Sequence, residues 1–322
     1  MKRSMILLML CLFGIVGLVN VSHLYSQTKT IYVTVGTSSM GSPLYAAGNV
    51  LSQELNKSIP NMKASARVTA GSIQNIDLLT SKTIEMALGD SVTPKDAVEG
   101  IGVFAGKKDA LIRGITCIWP SVIQIVVPLS VNSVGELRGK RVAIGARGSA
   151  ATRYAQVALA GGGMTLADIR PEHVSYDEGK AFLQDGHISG SLHIAVPNAL
   201  VMELLSSGKF KILEFSDEEL KKMNAAHPEF TPFTVAPNTY QNQPKPVKVY
   251  QVPNLIITRE NVDTDLIYQI TKILYEKQKA LAAGYKLWGA FRLEDALKGM
   301  PIPLHPGAEK FFKEKGITTR GK

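Results

Sequence analysis

Ile31-Tyr32-Val33-Thr34-Val35, then Gly36-Thr37-Ser38-Ser39-Met40-Gly41-Ser42-Pro43, then Leu44 through Leu55: the fold turns on how this run is read. The β-branched and aromatic opening predicts a short buried strand. The glycines and hydroxyls after it are turn chemistry. Leu44, Ala47, Val50, Leu51 and Leu55 then recur at helical spacing. Pro43 suits the first helical position, where a missing N–H removes nothing from the ladder, and Ser42 suits the N-cap. A strand thus feeds a helix whose first amides point into a hydroxyl-rich turn, an arrangement that binds anions.

The same grammar repeats along the chain. Lys63–Thr69 reads as a second strand and Gly71 to Leu79 as a second turn and helix, with Ser72 as its N-cap and Asn75 and Asp77 near its entrance. Ile84–Leu88 is a third strand, closed by Gly89-Asp90-Ser91. Alternating strands and helices at this spacing predict a doubly wound α/β sheet with parallel strands. Residues 110–128 hold two further apolar runs. A second round begins with a short helix at Ser133–Leu137 and a strand at Arg141–Ile144, and Gly145 to Thr152 opens a helix that Gly161-Gly162-Gly163 stops. A helix around Glu178–Leu183, a strand at Leu192–Val196, a helix at Asn198–Ser206 and a strand at Lys211–Phe215 follow. Five prolines make 228–247 irregular; then come a β-rich run at Val247–Thr258, a long helix at Val262–Leu281 and an amphipathic helix at Pro306–Lys315.

Gly36-Thr37-Ser38 and Gly145-Ala146-Arg147 each follow a strand and open a helix. Two α/β lobes that aim such entrances at each other would enclose a cleft, a common place for a small molecule. The alternative is one large sheet carrying two unrelated turns.

At 322 residues, with 45% hydrophobic and 20% charged residues, the chain has material for two globular domains. Residues 1–26 have a basic start (Lys2, Arg3) and an apolar stretch from Met5 to Val19. They read as a secretory signal peptide cut after Ser26, or else as a retained anchor helix. Losing them takes Cys11 away and lowers the formal net charge from +9 to +7. Cys117 is then alone, so no internal disulfide forms and the thiol is read as a buried apolar group. The scattered lysines form no basic run interleaved with aromatics, which argues against nucleic acid.

Catalytic signals are thin. Neither glycine turn fits a nucleotide-binding loop. There is no G-x-S-x-G, and Ser206-Ser207-Gly208-Lys209 lacks the companions of an S-x-x-K hydrolase. The six histidines show no metal-ligand spacing, so neither metal nor cofactor is expected. His305, just before Pro306, caps or packs. Asp90, at a strand end, either meets a ligand amine or hydroxyl or caps the next turn. Arg147 either pairs with a carboxylate or lies in solvent.

In order, Val35-Gly36-Thr37-Ser38-Ser39-Met40-Gly41-Ser42, Gly71-Ser72-Ile73-Gln74-Asn75-Ile76, Val134 to Val142, Gly145 to Thr152 and Pro303 to Gly316 resemble a known family. It is the TAXI-type solute receptors of tripartite ATP-independent periplasmic (TRAP) transporters. The resemblance spans nearly the whole chain after the leader. It implies a two-lobed periplasmic binding-protein fold of type II character, with the ligand cleft between the lobes. It also implies a non-catalytic receptor that hands a small solute to a TRAP membrane permease. Two departures fall on the pocket wall: Leu44-Tyr45 keeps only the second of a tyrosine pair, and Gly148-Ser149-Ala150-Ala151 replaces Gly-Ser-Gly-Thr.

The expected lobes are 27–128 with 250–322, and 129–249, joined by two chain crossings. Thr37, Ser38, Ser39, Tyr45, Ser72, Asn75 and Asp90 are expected on one wall, facing Arg147, Gly148, Ser149, Ala150 and Ala151. The expected ligand is a small organic anion, such as a dicarboxylate or an acidic amino acid. An enzyme in the same cleft is the alternative, but it lacks a nucleophile–base pair beyond Asp90 and the turn serines. A third reading is a surface interaction protein with a vestigial cleft.

Overall fold

The computed structural model describes residues 30–317; the expected signal segment lies outside them. The opening run folds as read. β1 (Ile31–Gly36) is followed by α1 (Pro43–Ser58), with Ser42 Oγ accepting the Leu44 N–H at 3.2 Å. β1 pairs in parallel with β2 (Met62–Arg67) on one side and β3 (Met86–Asp90) on the other. α2 (Ser72–Thr80) and α3 (Val92–Glu99) make the returns.

β4 (Ile112–Pro128) joins the two expected apolar runs into one long strand. The second round supplies β5 (Arg141–Ala143), α4 (Ala151–Gly161), β6 (Arg170–Glu172), α5 (Tyr176–Gln184), β7 (Gly190–Ile194), α6 (Ala199–Ser206) and β8 (Phe210–Ile212). After it come α7 (Asp217–Ala226), β9 (Thr231–Val235), β10 (Val247–Arg259), α8 (Thr264–Glu276), α9 (Gln278–Gly284) and α10 (Pro306–Glu314).

The strands join in the order β2-β1-β3-β10-β4-β7-β5-β6, with β8 added on β4 and β9 on β10. Parallel pairing holds inside each round, as expected, but β4 and β10 run antiparallel to each other and to their neighbours. Both pictures drawn from the sequence therefore coexist: two α/β lobes, and a hydrogen-bonded ladder that continues from one to the other. The outer parts of β4 and β10 belong to different neighbours. Asn254–Thr258 of β10 pairs with β3, whereas Val247–Gln251 pairs with β9.

At the midpoint the β4–β10 register slips between Val252 and Asn254. Pro253 sits in that slip and has no N–H to give. Its carbonyl accepts the Ser91 N–H at 2.9 Å, and Asn254 fills the gap by donating to the Trp119 carbonyl at 3.0 Å.

Each lobe has its own apolar interior. Val33, Val35, Leu51, Leu55, Trp288, Phe311 and Phe312 anchor one; Ile125, Val142, Val157, Phe215 and Phe230 anchor the other. Cys117 is free and buried, as expected, and burial pushes its thiol up to about 12.

Four local readings change. Ser72 is the first residue of α2 rather than its cap: Gly71 holds the cap position at φ 126°, and Ser72 Oγ accepts the Asp90 N–H at 3.2 Å. The helix read at Val262–Leu281 breaks at Lys277 into α8 and α9. β9 interrupts the proline-rich segment. α7 was not anticipated; its sequence is polar, but Ser216 and Glu219 form a capping box that marks its start. His305 caps α10, its Nδ1 accepting the Gly307 N–H at 3.1 Å.

Candidate functional site

The carboxyl ends of β1, β3 and β5 and the entrances of α2, α3, α4 and α5 converge between the lobes. Several contacts cross the cleft. Gln74 N–H donates to the Gly148 carbonyl at 3.1 Å, and Gly71 lies against Ser149. Gly41 lies against the Asp177 carboxylate, and Arg153 of α4 pairs with Asp96 of α3. α2 and α4 carry no side-chain cap. The first amides of a helix have no partner in their own ladder. Ser149 Oγ accepts that of Ala151 at 3.3 Å and the Gly148 carbonyl that of Gln74, which leaves the Ser72, Ile73 and Thr152 N–H groups facing the same gap.

The expected residues do not all stand in one place. Ser38, Ser72, Gly148, Ser149 and Ala150 come together at the gap, with Ser149 Oγ donating to the Ala146 carbonyl at 2.7 Å. Ala151 is buried in the first turn of α4. Ser39 is half-buried at the turn, its carbonyl accepting the Ser42 N–H, and Tyr45 is half-buried in α1.

Thr37 and Asn75 stand behind the wall. Thr37 Oγ1 donates to the Arg67 carbonyl at 2.7 Å, and the Asn75 amide donates to the Thr37 and Leu88 carbonyls at 2.8 and 3.0 Å. They tie the ends of β1 and β3 to their neighbours because strand carbonyls ending in a buried turn need donors.

Asp90 takes the capping role of its two readings. Oδ1 accepts the N–H groups of Val92 and Thr93, both at 2.8 Å, and Oδ2 accepts the Thr93 hydroxyl at 2.8 Å. Its charge still reaches across the cleft. Burial, and then Asp90, raises the hydroxyl pKa of both Tyr154 and Tyr176, so both stay protonated. Arg147 takes the solvent side of its two readings and is exposed.

Sequence reasoning passed over Arg153 and Asp96. A cavity of about 160 Å³ lies between them, Ser149, Ala150 and Thr152 of one lobe, and Ile73 and Thr93 of the other. A larger one, about 610 Å³, opens on the far side of the pair. The signal for Arg153 was its place: a cation in the first turn of a helix opposes the macrodipole and wants a reason to be there. Among the described residues no group of His, Cys, Asp and Glu has metal-binding geometry, and no helix is long and apolar enough to cross a membrane.

Beneath α5, His193 and Ser191 share one face of β7. Both His193 ring nitrogens and Ser191 Oγ lack a hydrogen-bond partner among the described residues. Burial, aided by the charge of Lys180, lowers the His193 pKa to about 3. The unfolded histidine titrates near 6.5. Between these values the unfolded chain holds a proton that the native ring refuses, so stability falls as pH drops below about 6.5. The slope is up to about 1.4 kcal/mol per pH unit. His193→Phe is expected to flatten that part of the profile in urea unfolding at pH 4–7. A slope unchanged in the variant would assign it elsewhere.

The sequence pattern of the NMT1-like family matches residues 35–316. Among solved structures, the Prochlorococcus marinus protein PhnD1, in complex with methylphosphonate, is 13% identical over 90% of this chain and 100% of that one, at a TM-score of 0.56. The periplasmic aliphatic sulphonate binding protein SsuA from Escherichia coli is 17% identical over 88% of this chain and 84% of its own, at 0.50. A Xanthomonas citri protein bound to ATP is 10% identical over 88% and 94%, also at 0.50. At these identities the likeness is one of fold: a two-lobed periplasmic binding-protein architecture.

Proposed function

The chain belongs to the NMT1-like family, and we propose that it is a periplasmic solute receptor, not an enzyme. It closes on a small organic carboxylate and presents it to a membrane transporter. The observation that carries this reading is the meeting of two helix entrances, those of α2 and α4, across one cleft, where the Ser72, Ile73 and Thr152 amides are left without a partner among the described residues. Paired positive helix ends repel unless an anion lies between them, and the backbone amides there are suited to hold one rather than to attack it.

In this reading the lobes are 27–128 with 250–322, and 129–249. They rotate about β4 and β10 at the register slip, and the closed form is what the transporter engages. The residue runs shared with TAXI-type receptors support a TRAP permease as that transporter, and the basic leader supports export. PhnD1 is in complex with methylphosphonate and SsuA is an aliphatic sulphonate binding protein, so those oxyanions belong among the probes.

A thermal-shift screen of small carboxylates, amino acids, alkanesulfonates and methylphosphonate tests the reading. At least one compound is expected to raise Tm and to be recovered unchanged. Turnover of that compound would make the protein an enzyme, and no response from any probe would remove the receptor role.

A further inference from the structure

Arg153 and Asp96 sit where the two cavities meet, one on each lobe. Asp96 is nearly buried, its side chain 7% exposed, while the Arg153 side chain keeps 28% of its surface. Arg153 spends one Nη2–H on Asp96 Oδ2, and a guanidinium has five such donors in a planar fork. Among the described residues it is the one cation lining the smaller cavity. Gly102, at φ 58°, gives the pair room: a Cβ there would lie 3.0 Å from Asp96 Oδ2 and 3.3 Å from Arg153 Nη2. Ile73, Val103 and Phe104 supply an apolar side to the same space.

Charge balance decides which solute fits. A simple carboxylate drawn to Arg153 would place a second anion beside a nearly buried Asp96, leaving two negative charges to share one guanidinium. Like charges in a partly desolvated site cost far more than at the surface. A solute with both an ammonium and a carboxylate brings its own compensation, and the four charges alternate in sign.

We propose that Arg153 and Asp96 are the specificity-determining pair of the cleft: Arg153 takes the solute's carboxylate, and Asp96 takes its ammonium group and turns away anions that lack one. The class selected is a small amino acid with a compact apolar body. This rests on the receptor reading above and narrows it from organic carboxylates to zwitterions.

Calorimetric titration of the wild type, Asp96→Asn and Arg153→Gln with two probe series tests the pair. One series is alanine, valine and leucine; the other is propionate, isovalerate and succinate. The wild type is expected to prefer the amino acids. Asp96→Asn should weaken them about tenfold and tighten the plain carboxylates by a similar factor, and Arg153→Gln should weaken both series. Circular dichroism of each unliganded variant checks that it is folded, and Arg153→Lys, which keeps the charge without the fork, replaces Arg153→Gln if that variant fails to fold.

Both series moving in the same direction in Asp96→Asn would make the pair a plain tie between the lobes and overturn the proposal. Unchanged binding in Arg153→Gln would overturn it too. A wild type that binds plain carboxylates and refuses amino acids would overturn the zwitterion class while leaving the receptor reading standing. A wild type silent to both series and to the wider screen would bring down the receptor reading, and this proposal with it.

Discussion

Alanine at Gly71 is expected to weaken solute binding about tenfold or more and to lower the stability of the unliganded protein. Two separate effects act there. Gly71 has φ 126° and ψ −155°, a region that side-chain-bearing residues enter only at a cost of about 1–3 kcal/mol. That strain falls on open and closed forms alike and is read in Tm. On the proposed receptor reading the second effect falls on closure: a Cβ on Gly71 would lie 3.2 Å from Ser149 Cβ and 3.3 Å from Ser149 Cα. The backbone of the facing lobe would have to give way, and holding two helix entrances apart by a few tenths of an ångström forfeits contacts made only on closure. An overpacking cost of about 1–3 kcal/mol corresponds to roughly a five- to hundredfold loss of affinity. Calorimetry with whichever compound the screen identifies, alongside thermal unfolding without it, separates the two. A lowered Tm with unchanged affinity would show that binding does not depend on the approach of Gly71 to Ser149.

Gly307→Ala should be the more damaging change to the fold itself. Gly307 is the second residue of α10, where that helix crosses α8. A Cβ there would stand 2.2 Å from the Thr264 carbonyl oxygen and 2.7 Å from the Tyr268 nitrogen. Those atoms belong to a helix backbone and cannot rotate away as a side chain would. The two helices must separate, and Phe311 and Phe312, both buried and packed on Tyr275 of α8, lose their seat. The expected cost is about 3 kcal/mol or more, with a fall in Tm on the order of 5–10 °C. Because the site lies elsewhere, the surviving folded protein should bind its solute with ordinary affinity. A Tm within about 1 °C of wild type would mean that α10 can shift freely on α8.

Why one part of this molecule was legible in the sequence and another was not follows from the hydrogen-bond chemistry. Ser42 with Pro43, and the glycines at 145 and 148, obey local rules that need no knowledge of the rest of the chain, and the helix entrances fall where they indicate. Asn75 and Asp90 were harder. A polar side chain at a strand end can serve a ligand or serve the orphan backbone groups around it, and the two uses ask for the same residue. Only the three-dimensional neighbours, Thr37 and Leu88 for one and Val92 and Thr93 for the other, show which use was made. The arginines were confused for a related reason. Arg147 stands in the turn beside Gly148, where a binding residue is sought, but it points to solvent. Arg153 sits inside the helix and meets an aspartate from the far lobe, a pairing that no local window contains. The α7 helix escaped notice because only Leu220 and Met223 of its residues are buried, too few for a clear period.

The position of β10 in the sheet also bears on how the chain is made. β3 needs β10 as its neighbour, and β10 leaves the ribosome only after β5 through β9 have been synthesised. The early strands β1 to β3 must therefore wait with an open edge, while the β5–β7 unit can complete its own parallel ladder in the interval. Long-range strand pairing of this kind is slow and leaves unpaired edges exposed to other chains. Assembly is then ordered by chain position: the β5–β7 ladder can form first, and β10 returns to complete both lobes, pairing with β3 in one and with β9 in the other. Pulse-labelled hydrogen exchange on ribosome-bound nascent chains that end before β10 would read that order directly, with amides of β5 and β7 protected ahead of those of β3.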